Sequence, residues 1–73
     1  MKNNIKQLRR AAGLTQKELA GMLGISNVTL SNWETETKIP LLQNVVELAG
    51  LLGVTLDDIY PMKKGEGPHA ERT

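Results

Sequence analysis

The chain has 73 residues, with nine Lys and Arg against eight Asp and Glu, a single histidine and no cysteine. A chain this short has room for one domain, and it buries only about 60% of the surface that its unfolded form exposes. Disulfides and thiolate metal sites are excluded, no apolar run approaches the roughly 20 residues that span a bilayer, and the opening MKNNIKQLRR lacks the apolar stretch of a secretion signal.

The expectation is a cytoplasmic protein without metal, cofactor or membrane contact; His69 stands in a polar tail with no ligand partner at useful spacing. The formal net charge of +1 hides a gradient. Lys2, Lys6, Arg9, Arg10 and Lys17 make residues 1–17 purely basic, whereas residues 18–62 set Lys38 against six acids. One basic end and one acidic end let a protein address a polyanion with the first without wrapping it with the second, although charges can equally serve only to solvate helices.

In chain order, helix one is expected over residues 4–12, with Asn4 and Gln7 as a capping pair and Ile5, Leu8 and Ala12 facing inward. Gly13 stops it. Helix two, residues 16–23, opens at Thr15 with Glu18 completing a capping box and turns Leu19, Ala20 and Leu23 inward. Gly24 closes it in the left-handed conformation. Helix three follows Ser26 over residues 27–35. Pro40 suits the first turn of helix four, which continues to Leu52 and stacks Leu41, Leu42, Val45, Leu48, Ala49 and Leu52 within about 120° at about 100° per residue. Helix five, residues 56–60, opens at Thr55 with Asp58 and ends at Pro61. The polar run from Lys63 is expected to be disordered, giving a domain over residues 1–62 and a tail over 63–73. No strand pattern occurs, so the fold class is all-α.

The same local grammar recurs three times. Leu14-Thr15, Ile25-Ser26 and Val54-Thr55 each place a hydroxyl N-cap behind an apolar residue, which can clasp the one five positions on: Leu19, Leu30 and Ile59. Each cap contributes roughly 1 kcal/mol.

Helix three does not explain itself by packing. Thr29, Leu30 and Trp33 share one side, while Asn27, Val28, Ser31, Asn32 and Thr35 fall between about 0° and 140° on the other, with Asn27 at zero. A face meant only for water carries Lys, Glu and Arg more often, because they favour helix and keep chains apart. Short amides and hydroxyls suit the edges of DNA bases: Asn offers a donor and an acceptor together to adenine, Ser bonds either way, and Val28 can press on a thymine methyl. Helix two is short and joined to helix three by a tight turn at Gly24, with small Ala20 where the helices cross. That pairing makes a helix-turn-helix.

Residues 4–60 resemble the lambda-repressor and Cro type of helix-turn-helix, the XRE-like family of bacterial and phage regulators. The specific pieces are GLTQKELA, LGIS, the Trp33-Glu34 pair, Pro40 and LAGLLGVTLDDI. The resemblance implies a five-helix domain whose third helix enters the major groove of double-stranded DNA. It implies that Gln16 bonds a backbone phosphate and braces helix three, with Lys17 beside it as a further DNA contact. It implies base-facing roles for Asn27, Val28, Ser31 and Asn32, phosphate contacts for Ser26, Thr35 and Lys38, and an Arg9–Glu34 pair tying helix one to helix three.

The sequence also departs from the pattern. Relatives commonly place a basic residue and then glycine after that glutamate, where this chain has Thr35 and Glu36. The left-handed closure of helix three is thereby in question, and affinity for phosphate on that side is expected to be modest.

One such domain covers half of a two-fold operator, so a homodimer is expected, with Leu51, Tyr60 and Met62 as candidate interface residues; capping of the monomer's own core is the alternative use for them. No catalytic constellation occurs: Asp57 and Asp58 stand at a helix start, where capping accounts for them. The expected function is a sequence-specific DNA-binding transcriptional regulator, in the repressor sense. The competing function is a protein-interaction module of the same fold, antitoxin-like or anti-regulator, since fold alone does not settle function.

Overall fold

The computed structural model describes residues 2–61. The five helices are α1 (Ile5–Ala11), α2 (Gln16–Leu23), α3 (Asn27–Glu34), α4 (Leu42–Leu52) and α5 (Leu56–Ile59), with no strand among the described residues. The disordered tail expected over 63–73, and Met62, lie outside the described residues.

The repeated grammar governs both ends of the helices. Gly13, Gly24 and Gly53 adopt φ of +76°, +71° and +70°. After each, the next amide reaches back five residues in a Schellman closure: Leu14 to Arg9, Ile25 to Ala20 and Val54 to Ala49, at 3.0–3.1 Å. The following hydroxyl then caps the next helix. Thr15 Oγ1 accepts from Glu18 N at 3.0 Å, Ser26 Oγ from Thr29 N at 3.1 Å and Thr55 Oγ1 from Asp58 N at 3.0 Å. Glu18 and Asp58 return the bond to Thr15 N and Thr55 N. One three-residue unit thus closes one helix, clasps the core through Leu14, Ile25 or Val54, and opens the next helix.

The core is built from Ile5, Leu19, Ala20, Leu30, Trp33, Val45, Leu48 and Ile59, with Leu8, Leu23, Ala49, Leu52 and Tyr60 packed against it. Three expected inward residues are not there. Ala12 is exposed, and Leu41 and Leu42 stand 66% and 71% exposed. For the two leucines the reason is the start of α4: Pro40 sits before the N-cap Leu41 rather than in the first helical turn, so the 39–41 segment is not helical and Leu42 is only the first residue of the helix. Leu41 has no side-chain oxygen, and the cap consists of its own N–H donating to Asn44 Oδ1 at 3.2 Å.

The expected Asn4–Gln7 cap of α1 is replaced by a tertiary arrangement. Asn4 makes no side-chain cap; its backbone and side-chain amides donate to Ile59 O (2.9 Å) and Asp58 O (3.0 Å) on α5. Asn3 Oδ1 accepts from Ile5 N at 3.0 Å, and Asn3 Nδ2 donates to Trp33 O at 3.0 Å. Two adjacent asparagines therefore tie the start of α1 to the ends of both α3 and α5.

Candidate nucleic-acid interface

Helix α3 buries Leu30 completely and Trp33 nearly so, which holds the helix by one side. On the other side Asn27 is exposed, Val28 is 70% exposed, and Ser31 and Asn32 are half-exposed. The side chains of Asn27, Ser31 and Asn32 hydrogen-bond to no other described residue. Ser26 and Thr35 differ: their hydroxyls are already engaged within the protein. Ser26 Oγ caps α3 and lies 3.0 Å from Thr29 Oγ1, and Thr35 Oγ1 donates to Ser31 O at 2.9 Å while meeting Thr37 Oγ1 at 2.9 Å. The candidates thus separate into four groups open to an outside partner and two that chiefly shape the ends of the helix.

Beneath this face lies an ion pair. Arg9 Nε donates to Glu34 Oε2 at 2.7 Å and Nη2 to Glu34 Oε1 at 3.3 Å, with only 9% and 3% of the two side chains accessible. Gln16 Nε2 donates to the same Oε1 at 3.1 Å, and Arg9 Nη1 to Leu14 O at 2.9 Å. A buried pair is tolerable only when its remaining donors and acceptors are satisfied, and here three helices share that task. The pair links α1 to the last turn of α3, and Gln16 braces α3 as the resemblance implies. Wheel position alone put Glu34 at the border of the buried side; burial follows from the guanidinium that reaches it from α1, which no single helix reveals.

Helix α3 keeps the left-handed closure that its sequence put in question. Glu36 takes φ of +65°, the one described non-glycine residue at positive φ. Such a residue costs roughly 1–2 kcal/mol relative to glycine. Part of that cost is offset because Glu36 Oε2 accepts from Asn3 N at 3.1 Å. The Lys38 amide then folds back on Asn32 O at 3.1 Å. The Lys38 side chain stays exposed, as does Lys17 on α2.

A polar cleft of about 520 Å³ runs between α1 and α3, lined by Lys6, Arg9, Arg10, Gln16, Ser31, Glu34 and Thr35 among others. Lys6 and Arg10 were not singled out by sequence beyond their part in the basic end. The available signal was their i, i+4 spacing, which places both on one exposed side of α1.

Away from the interface, Glu18 is held below the usual glutamate range, first by the Thr15 backbone N–H and then by its hydroxyl. Burial, the largest influence, pushes the Tyr60 phenol up. Of the candidate interface residues, Leu51 is 40% exposed, whereas Tyr60 is half-buried against the core. No group of acids or histidines able to hold a metal occurs among the described residues, and no described helix is long and apolar enough to cross a membrane.

A helix-turn-helix family model matches residues 5–59. The chain is 37% identical over 68 residues to the HTH-type transcriptional regulator YobD of Bacillus subtilis, covering 93% of this chain and 61% of the relative. It is 40% identical over 62 residues to the HTH-type transcriptional regulator ImmR of the same organism, covering 85% and 47%. The chain therefore spans about half to three-fifths of the length of these two relatives. Among solved structures, a Bacteroides fragilis protein provisionally named as DNA-binding superposes with a TM-score of 0.75 at 31% identity, over 80% of this chain and 94% of that one. With the fold, the braced third helix and these matches in agreement, the chain belongs to the helix-turn-helix family, in its lambda-repressor and Cro-like, XRE-type branch.

Proposed function

We propose that this protein is a sequence-specific double-stranded DNA-binding transcriptional regulator that inserts α3 into the major groove. The observation that carries this is the outward face of α3, where Asn27 and Val28 are exposed, Ser31 and Asn32 half-exposed, and the side chains of Asn27, Ser31 and Asn32 hydrogen-bond to no other described residue. These groups present a donor–acceptor pattern matched to base edges, and their shortness lets the helix backbone approach the groove floor. Gln16, Lys17, Ser26, Thr35 and Lys38 flank that face in the sense of backbone contacts, with Gln16 also committed to Glu34. Regulation is by repression, since a domain that fills a groove denies the site to other proteins by occupancy alone.

The working unit is a homodimer. One recognition helix reads one half-site, and two must lie about 34 Å apart on one DNA face. Leu51, Tyr60 and Met62 remain interface candidates. Tyr60 also lines a largely apolar groove of about 630 Å³ with Ile39, Pro40, Leu42, Val45, Leu56 and Asp57, and Val46 is a further exposed apolar residue of α4.

Selection of bound duplexes from random DNA at physiological salt tests the proposal. Enrichment of one two-fold sequence, lost in Asn27→Ala and Asn32→Ala, is the expected result. Recovery of no preferred sequence, or binding to a protein partner indifferent to salt, favours the interaction-module reading instead.

A further inference from the structure

We infer that Asn3 is a positioning residue for base reading, holding the last turn of α3, and Asn32 with it, against fraying; this rests on the DNA-binding reading above. Gly13, Gly24 and Gly53 each let the very next amide return five residues into the helix they end. Helix α3 ends otherwise. Its residue at positive φ is Glu36, at +65°, where a side chain makes the left-handed conformation costly. The amide that returns to Asn32 O is that of Lys38, two residues on rather than one. The closing ring is therefore one residue longer and includes a strained residue.

Asn3 supplies what this turn lacks. Its Nδ2 donates to Trp33 O at 3.0 Å, and its backbone N–H donates to Glu36 Oε2 at 3.1 Å. The first bond takes up a carbonyl of the last helical turn, a group that a helix by itself leaves short of partners. The second holds the Glu36 side chain and, through it, the left-handed backbone. Asn3 is itself fixed: Oδ1 accepts from Ile5 N at 3.0 Å, and the neighbouring Asn4 donates to Ile59 O and Asp58 O. Burial raises the Tyr60 phenol most, a hydrogen bond with the Asn3 side chain lowers it, and the Glu36 carboxylate raises it again, which puts all three residues in one cluster. The anchor thus runs from α5 through two asparagines to the end of α3.

The consequence is uneven across the reading face. Asn27 and Val28 stand in the first turn, fixed by the Ser26 cap and by Leu30 in the core. Asn32 stands in the last turn, and its own carbonyl is the acceptor of the Lys38 return. Trp33, nearly buried, keeps the helix docked. Loss of the Asn3 support therefore loosens the final turn without unfolding the domain, since helix ends open locally at far lower cost than the core. Asn3 sets how faithfully the Asn32 end of the site is read, without touching DNA.

Asn3→Ser is the informative variant. Its hydroxyl can still accept from Ile5 N, it is too short to donate to Trp33 O, and net charge is unchanged. Affinities for the selected duplex and for duplexes altered at single base pairs are compared in the parent, Asn3→Ser, Glu36→Gly and the double variant. Asn3→Ser should lower discrimination by about fivefold or more at the base pairs whose preference Asn32→Ala abolishes, the lower end of what one bidentate base contact contributes. Discrimination at the base pairs that Asn27→Ala affects should stay as in the parent. Asn3→Ser/Glu36→Gly should regain the parent's discrimination, because glycine closes the helix without the support. In the free protein, amide exchange should show Lys38 losing protection in Asn3→Ser while Arg9 and Arg10 on α1 keep theirs. Unchanged discrimination or unchanged Lys38 exchange in Asn3→Ser overturns the assignment and leaves the DNA reading standing. Equal losses at both sets of base pairs, or a double variant no better than Asn3→Ser, mark a merely structural role and also overturn it. Failure of the parent to bind any duplex overturns both.

Discussion

Helices α3 and α4 both present to solvent a face the core does not use, and the chemistry of the two faces is opposite. On α3 it is Asn27, Val28, Ser31 and Asn32; at the start and outer side of α4 it is Leu41, Leu42 and Val46, between 53% and 71% exposed. The first face weakens its own helix, because Asn, Ser, Thr and Val are each poorer helix formers than Ala by about half a kcal/mol. The second invites association, because contiguous apolar surface is rarely left open on a monomer. Neither composition is accounted for by the stability of the isolated domain. In the function proposed above, each meets a second surface, polar base edges for α3 and another apolar face for α4.

The largest effect should come from removing the support beneath α3 while leaving α4 intact. Arg9→Ala strands Glu34 in a nearly closed site and should lower the unfolding free energy by about 3 to 5 kcal/mol. Urea unfolding measures this, and a loss under about 1 kcal/mol would mean that the pair is solvated in solution. Next, Asn27→Ala and Asn32→Ala should each weaken binding to the selected duplex by about 1 to 3 kcal/mol while sparing random DNA. Equal losses on both duplexes would remove α3 from base reading.

On the other face, Leu42→Glu and Val46→Glu should leave stability within about 0.5 kcal/mol, since both side chains are exposed in the monomer. Sedimentation should show them as monomers at concentrations where the parent pairs, with tenfold or greater loss of affinity for a two-fold site, about 1.4 kcal/mol. Parent and variants sedimenting alike would break the contrast between the faces.

Glu36→Gly is subtler. It relieves about 1 kcal/mol of left-handed backbone cost and forfeits the Asn3 N–H bond of similar size, so stability should move by less than about 1 kcal/mol. Affinity for any duplex should rise nonetheless, because a carboxylate beside the end of α3 proposed to meet phosphate is gone; superimposable isotherms would refute this.

The smallest effect is a pH dependence. Glu18 is held below its unfolded value, so its contribution is full above that value and declines as pH falls through the lowered one. Glu18→Gln should flatten that acid limb of the thermal midpoint without changing the midpoint at neutral pH appreciably.

Helix starts and stops were legible because they are local. A Gly-apolar-hydroxyl triplet dictates a left-handed closure, a clasp and a cap within six residues, and all three occurrences behave alike. The open face of α3 was legible for the same reason: helical spacing puts Asn27, Ser31 and Asn32 opposite Leu30 and Trp33. Leu41 and Leu42 were misplaced because helical periodicity was started at Pro40, whereas Leu41 is the N-cap and Leu42 only the first helical residue, both left facing solvent. Asn4 was read as a cap because its neighbours in sequence were visible and its partners on α5 were not.

Residue order by itself therefore determined which segments wind, where they end, and which side of α3 is left for something other than the core. Tertiary structure alone decided the rest: the closure of Arg9 on Glu34 with Gln16 as third member, the latching of Asn3 and Asn4 onto two other helices, and the meeting of Lys6 and Arg10 with Ser31 and Thr35 across one cleft. The physical reason is the range of the forces involved. Caps and turns act over a few peptide units, whereas a buried charge or a bridging amide acquires its role only when a distant helix arrives to complete it.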